Sequence, residues 1–126
     1  MWHKGLLVKL NQIGISGSLL SWFTDYLENR TQSVVISGHV TNTTSLKSGV
    51  PQGSILGPLL FLIYINDIVN NIGSTIKLFA DDTSLYIVVD TPVSAASCLN
   101  DDLNSLHTWA DNWLVTFNPN KTKTLV

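Results

Sequence analysis

Two adjacent carboxylates, Asp81 and Asp82, sit in the stretch FADDTSLY, residues 79–86, between two apolar runs that alternate as strands do. Aspartate is a common turn residue, so a hairpin turn is the plain account of the pair. A tight two-residue hairpin, however, favours Asn-Gly, Asp-Gly or a leading glycine, because one or both central residues take positive φ. Asp-Asp supplies no glycine. A tight turn here would accept backbone strain and charge repulsion together, which is the pattern of a functional site. Two carboxylates this close remain ionised when a cation neutralises them. A hard divalent ion such as Mg²⁺ suits the pair, since it takes one or two carboxylates and leaves its other positions to water and substrate phosphates. Successive side chains on an extended chain point to opposite faces, so Asp81 is expected to be the principal ligand.

A second group lies in KSGVPQGSILGP, residues 47–58. A turn before a helix explains any one of its glycines. In combination they suggest more: Gly53 lets backbone come close to a ligand, Gln52 offers donors and an acceptor to a base or sugar edge, and a following helix N-terminus favours phosphate. With a carboxylate turn, this describes a site for a nucleoside triphosphate and a metal.

The 126 residues suffice for one domain or part of one, and 44% hydrophobic content with a mean hydropathy of +0.23 marks a globular chain rather than a disordered one. The single cysteine, Cys98, excludes an internal disulfide framework and reads as a small buried hydrophobe. His3, His39 and His107 lack zinc-ligand spacing. Seven basic against nine acidic residues, a net charge of −2, leave no electrostatic footprint of a self-sufficient nucleic-acid binder. The longest apolar stretch, residues 55–65, is interrupted by Gly57 and Pro58 and falls short of the ~20 residues that span a bilayer. Met1-Trp2-His3-Lys4 leads into helical pattern without the small-residue cleavage site of a secretory leader. The expectation is an intracellular chain with no membrane partner.

The elements that must position these groups follow from periodicity. Leu6, Leu7, Leu10 and Ile13 share one helical face and Leu19, Leu20, Phe23 and Leu27 another, with residues 14–18 as the break, so a helical hairpin opens the chain. Residues 31–37 and 43–47 are β-branched segments flanking residues 38–42, which predicts a β-hairpin. The glycine and proline loop then opens a helix over residues 55–69, with Pro58 tolerable only in its first turn. Apolar nearly all round until Asn66, it is expected to be the central core helix, buried on most sides.

Ile76, Leu78 and Ala80 alternate with Lys77 and Phe79 as a strand, residues 84–89 supply its partner, and the aspartates take the bend. Thr91 as N-cap and Pro92 as first helical residue start an amphipathic helix whose apolar positions are Ala96, Leu99, Leu103, Leu106, Ala110 and Trp113. Asp101 and Asp102 are assigned to its solvent face, and Asp25, Glu28 and Asp67 to surface positions or a polar helix exit. Residues 114–117 and 122–126 are expected as two short strands around the turn Asn118-Pro119-Asn120-Lys121. Helices interleaved with antiparallel hairpins predict an α+β fold rather than a doubly wound sheet.

Three stretches, SGVPQGSILGPLLFLIYINDI, FADDTSLY and WLVTFNPNKT, resemble motifs B, C and D of reverse transcriptases from non-LTR (LINE-type) retrotransposons, in family order and at family spacing. The opening WHKGLLVKLNQIGISGSLLSWFTDYLENRTQSVVISG is similar to the segment joining motifs A and B. The resemblance covers essentially the whole chain. It implies one partial polymerase palm over residues 1–126, an antiparallel sheet backed by helices.

In that family Phe79-Ala80-Asp81-Asp82 corresponds to the aromatic-x-Asp-Asp box. The resemblance makes Asp81 a ligand of the catalytic Mg²⁺ ions and Asp82 a supporting acid, with Phe79 and Ala80 beside nucleotide and template. Pro51, Gln52 and Gly53 correspond to the segment against the template strand and the incoming nucleotide. Lys121, with Asn118 before it, matches the lysine that assists departure of pyrophosphate. The implied chemistry is two-metal phosphoryl transfer on an RNA template with a DNA primer and deoxynucleoside triphosphates, and the family makes a nuclear location plausible.

The motif A aspartate that shares the metals falls just upstream of Met1-Trp2-His3 in the family, and the fingers and thumb also lie outside these residues. The resulting expectation is a fragment inactive alone. The alternatives are a non-catalytic retrotransposon remnant that acts as a binding or interaction module, and a truncated palm that never folds stably.

Overall fold

The computed structural model describes residues 1–88 and 92–125. They form an α+β chain that divides into two compact units, Met1–Ile65 and Asn66–Val126.

The first unit opens with two helices, α1 (His3–Gln12) and α2 (Gly17–Leu27). Gly14 and Gly17, at φ +96° and +61°, take the left-handed backbone of the break between them. Leu6 and Leu10 of α1 and Phe23 and Leu27 of α2 are buried, as the spacing predicts, whereas Ile13 and Leu19 at the outer ends of the two stripes stay exposed. The chain then runs out and back as a β-hairpin in two ladders. An outer pair, β1 (Thr31–Gln32) with β4 (Thr44–Ser45), is out of step by one residue with an inner pair, β2 (Val35–Ile36) with β3 (His39–Val40). Ser37 and Gly38 make the turn.

Helix α3 (Leu56–Ile65) closes the first unit, with Pro58 in its first turn. It packs on α1 through one face, burying Gly57, Leu60, Tyr64 and Ile65. The expected burial on most sides is not observed: Leu59 and Leu62 are exposed, and Ile55 is 95% exposed. An apolar surface is buried only where another element covers it, and within this unit α1 covers a single stripe.

The second unit begins with a 3₁₀ turn, Asn66–Val69, that continues from α3. The hairpin β5 (Thr75–Phe79) and β6 (Asp82–Tyr86) follows, then the long α4 (Pro92–Asn112). Pro92 is the first helical residue, and the Thr91 cap lies outside the described residues. Ile76, Leu78, Thr83 and Leu85 form the half-buried face of the hairpin, paired Ile76 with Leu85 and Leu78 with Thr83. The expected terminal strands are not formed among the described residues. Residues 114–118 are irregular and Pro119–Lys121 is a short 3₁₀ turn, since an extended segment without a neighbour has no ladder to satisfy its backbone. The antiparallel pairing is likewise three separate two-stranded ladders rather than one continuous sheet. Among the described residues no helix is long and apolar enough to cross a membrane.

Candidate active site

The pair Phe79 with Asp82 closes the β5–β6 ladder, which leaves Ala80 and Asp81 as the two central residues of the turn. Ala80 carries the positive φ, +51°, and Asp81 does not. This is the backbone pattern of a II′ turn, whose first central position is ordinarily glycine. The strain expected of the aspartate pair therefore falls one residue earlier, on an alanine, and Asp82 begins the returning strand. Both carboxylates are exposed, and Phe79 beside them is 81% exposed.

Asp82 shares the outer face of the hairpin with Lys77, Ser84 and Tyr86. The Lys77 ammonium lies 5.4 Å from the centre of the Tyr86 ring, toward the open end of the ladder and away from the turn. Neither Asp81 nor Asp82 has a side-chain hydrogen bond or ion pair among the described residues. Two exposed, uncompensated carboxylates are hard oxygen donors, and this donor set fits a divalent cation of the Mg²⁺ class. It is a partial set: no group of three His, Cys, Asp or Glu side chains that could hold a metal forms among the described residues.

The base of this hairpin is held from α4. Asp102, 5% exposed, accepts hydrogen bonds from the Gly73 N–H at Oδ1 and the Ser74 N–H at Oδ2, both 2.8 Å. The Ser74 hydroxyl, which does not reach full hydrogen-bond geometry, and these two backbone donors hold the carboxyl below the usual carboxylate range, against the opposing effect of burial. This corrects the solvent-face assignment. The buried stripe of α4 runs through Asp102, Leu106 and Ala110, while Leu103 is 52% exposed. Two N–H groups leading into β5 need an acceptor, and that demand outweighs the apolar preference for Leu103. Asp67 also has a structural partner, because the Trp109 indole N–H donates to its Oδ1 at 3.0 Å.

In the first unit, residues 51–54 form a turn in which Ser54 N–H donates to the Pro51 carbonyl at 3.3 Å and Gly53 takes φ +77°. Positive φ at the third residue marks a type II turn and explains the glycine. The Ser54 hydroxyl donates to the same carbonyl at 2.7 Å and accepts from Gly57 N–H at 3.0 Å, which caps α3. A Cβ on Gly57 would meet Ser54 Oγ at 3.2 Å, Pro51 O at 3.3 Å and Val50 Cγ2 at 3.4 Å, so the turn lies hard against the helix. Gln52 and Gly53 are left exposed at its tip. Upstream, the turn is tethered by Trp2 bridging Ser48, by Gly49 N–H donating to Met1 O at 2.8 Å, and by His3 Nε2 donating to Gly49 O at 2.8 Å.

Asn118 caps the 3₁₀ turn that carries Lys121. Its Oδ1 accepts from Asn120 N–H at 3.1 Å, with Pro119 in the first position, and Lys121 is exposed. The candidate residues thus form three local clusters: Phe79 to Asp82 in a hairpin turn, Pro51 to Gly53 in a helix-capping turn, and Asn118 with Lys121 in a 3₁₀ turn.

The chain matches, over residues 1–126, the family described as reverse transcriptase (RNA-dependent DNA polymerase). It belongs to the reverse transcriptase family. Among curated relatives it is similar to the RNA-directed DNA polymerase from mobile element jockey of Drosophila melanogaster, 32% identical over 96% of this chain. It is also similar to the probable RNA-directed DNA polymerases from transposon X-element, 31% identical over 96% of the chain, and transposon BS, 28% identical over 97%, both of Drosophila melanogaster. In each case the chain spans 14% of the relative's length. No solved structure matches. The resemblance to retrotransposon reverse transcriptases drawn from the motifs is borne out.

Sequence reasoning on this reverse transcriptase segment missed three polar residues that shape it: Asp102, His3 and Lys9. The Lys9 ammonium is buried, donates to the Tyr64 carbonyl in the last turn of α3 and lies 4.9 Å from the centre of the Tyr64 ring. None of the three carried a local signal, because each partner is distant in sequence: Gly73 and Ser74 N–H for Asp102, Gly49 O for His3 and Tyr64 O for Lys9.

Proposed function

We propose that residues 1–126 form one partial palm domain of an RNA-directed DNA polymerase, which extends a DNA primer on an RNA template. The observation that supports this best is the glycine-free turn at Ala80-Asp81, which presents two uncompensated carboxylates at a strained bend in a chain of the reverse transcriptase family. In the reaction the primer 3′-hydroxyl gives up its proton to solvent as its oxygen forms a bond to the α-phosphorus of a deoxynucleoside triphosphate. The bond to the β,γ-pyrophosphate breaks, and pyrophosphate departs with the electron pair.

Asp81, supported by Asp82, would hold Mg²⁺, which when bound supplies positive charge that acidifies the 3′-hydroxyl and neutralises the triphosphate. Gln52 and Gly53 lie against the template strand and incoming nucleotide, where the amide reads or orients a base or sugar edge and the glycine admits close backbone approach. Phe79 and Ala80 flank the same reacting pair. Lys121, presented by the Asn118-capped turn, faces the charge that develops on the departing pyrophosphate and can give it a proton.

Asp81→Asn tests the reading when this chain replaces the matching segment of full-length jockey polymerase. Template-directed incorporation is expected to be abolished with primer–template binding retained, and incorporation at the unsubstituted rate would overturn the assignment. The 126 residues alone, with two carboxylates in place of a complete metal set, are expected to incorporate nothing.

A further inference from the structure

A two-stranded ribbon has little stiffness of its own, and β5–β6 offers only four half-buried side chains to keep it in place. The segment entering it is held from α4. Gly73 and Ser74 immediately precede β5, and both of their N–H groups end on the Asp102 carboxylate. Burying a carboxylate is costly unless its oxygens are satisfied, so its presence at 5% exposure points to a need for two acceptors at one spot. A carboxylate provides that from one side chain, whereas asparagine would turn an NH₂ toward one of the donors. Seven residues further along α4, two turns on the same face, Trp109 ties the helix to Asp67 in the 3₁₀ turn. The helix is thus tied to the Gly73–Ser74 entry of the hairpin and to Asp67 in the 3₁₀ turn.

We propose that Asp102 is a positioning residue for the metal-binding turn: by fixing the Gly73–Ser74 backbone it sets where β5 delivers Asp81. The proposal rests on the polymerase reading of that turn. Asp102 touches neither substrate nor metal, and acts through the ladder.

The test places this chain in full-length jockey polymerase, in exchange for the matching segment, and compares Asp102→Asn, Asp102→Glu and Asp81→Asn. For residues that orient metal ligands, loss of one partner costs about 10- to 100-fold in metal affinity or activity. Asp102→Asn is expected to raise the Mg²⁺ concentration for half-maximal incorporation by about 10-fold or more. Primer–template affinity is expected to be unchanged, and Asp102→Glu, which keeps the carboxylate, to recover part of the loss. An unaltered Mg²⁺ dependence in a folded Asp102→Asn enzyme overturns the proposal, as does a loss confined to thermal stability.

Should the variants fail to fold, amide hydrogen exchange of the unsubstituted chain decides. Gly73 and Ser74 are expected to be protected well beyond the turn residue Asp81, and unprotected exchange at both would remove the clamp and the proposal with it. An active Asp81→Asn enzyme would instead defeat the polymerase reading of the turn, while exchange at Gly73 and Ser74 continued to report on the clamp.

Discussion

Two hairpins in this chain turn through two residues each, and they solve the same geometric problem with different chemistry. In β2–β3 the turn is Ser37-Gly38, both at positive φ, +50° and +82°, with a glycine where a side chain would be strained. In β5–β6 it is Ala80-Asp81, with an alanine at φ +51° and no glycine. The first hairpin is closed locally, where Val34 N–H donates to Thr41 Oγ1 and Thr41 N–H returns to Val34 O, both at 2.9 Å. The second is anchored by a carboxylate 28 and 29 residues away in sequence. The β2–β3 hairpin is closed by hydrogen bonds within its own segment. The one that bears two carboxylates departs from local turn preferences and takes its support from elsewhere in the fold.

The sharpest way to break this comparison is to remove the glycine from the β2–β3 turn, whose other central residue, Ser37, already takes φ +50°. Gly38→Val puts a β-branched residue in the left-handed region and should destabilise the β2–β3 hairpin by about 1–2 kcal/mol, read as faster amide exchange at Val35 and Val40. Equal exchange in the two proteins would show that the turn does not hold the hairpin.

Acid separates the two hairpins next. The folded-state pKa of Asp102 lies below its ordinary value of 3.8, so its contribution is full above that value and is lost as pH falls through the lower, folded-state one. Protection of Gly73 and Ser74 should therefore hold at neutral pH and fail only in strong acid. The Val34–Thr41 closure contains no carboxylate and should persist across the same range. Loss of both together would mean global unfolding rather than release of the clamp.

Relaxing the strained turn should have a smaller effect on stability. Ala80→Gly removes roughly 1–2 kcal/mol of left-handed strain, but glycine's greater freedom in the unfolded chain returns part of it. The net gain should be below about 1 kcal/mol by denaturant titration, and in the full-length enzyme incorporation should fall, since a looser turn holds its carboxylates less well. A gain in both stability and activity would mean that the alanine is incidental. The smallest effect belongs to Thr41→Val, which forfeits two exposed hydrogen bonds, one accepted from Val34 N–H and a long one, 3.4 Å, donated to Asn42 O, and should cost about 0.5 kcal/mol on β2–β3 opening.

What could be read from the residues divides along the same line. The helices α1, α2 and α4, the start of α3 and both hairpins were legible because each rests on local signals: three-and-four spacing, Pro92 and Pro58 in first turns, strand alternation. The motifs that carry the family resemblance were legible for the same reason, as contiguous runs. The inner side of α4 was not. Periodicity puts Leu103 inside and Asp102 outside, whereas the unmet donors of a loop 28 residues earlier reverse the two. Lys9 followed the same rule, since nothing near it in sequence announces the Tyr64 carbonyl that receives it. The terminal strands failed in the other direction: residues 114–117 have strand-like composition, but a strand is a property of two segments, and none pairs with them among the described residues.

The crowding around Gly57 has a mechanical consequence. With Ser54 Oγ, Pro51 O and Val50 Cγ2 only 3.2, 3.3 and 3.4 Å from where a methyl group on Gly57 would sit, the turn that bears Gln52 is closely packed on the start of α3. A side chain added at Gly57 would therefore have to push the Gln52 turn and the first turn of α3 apart, so the glycine sets how closely the two pack.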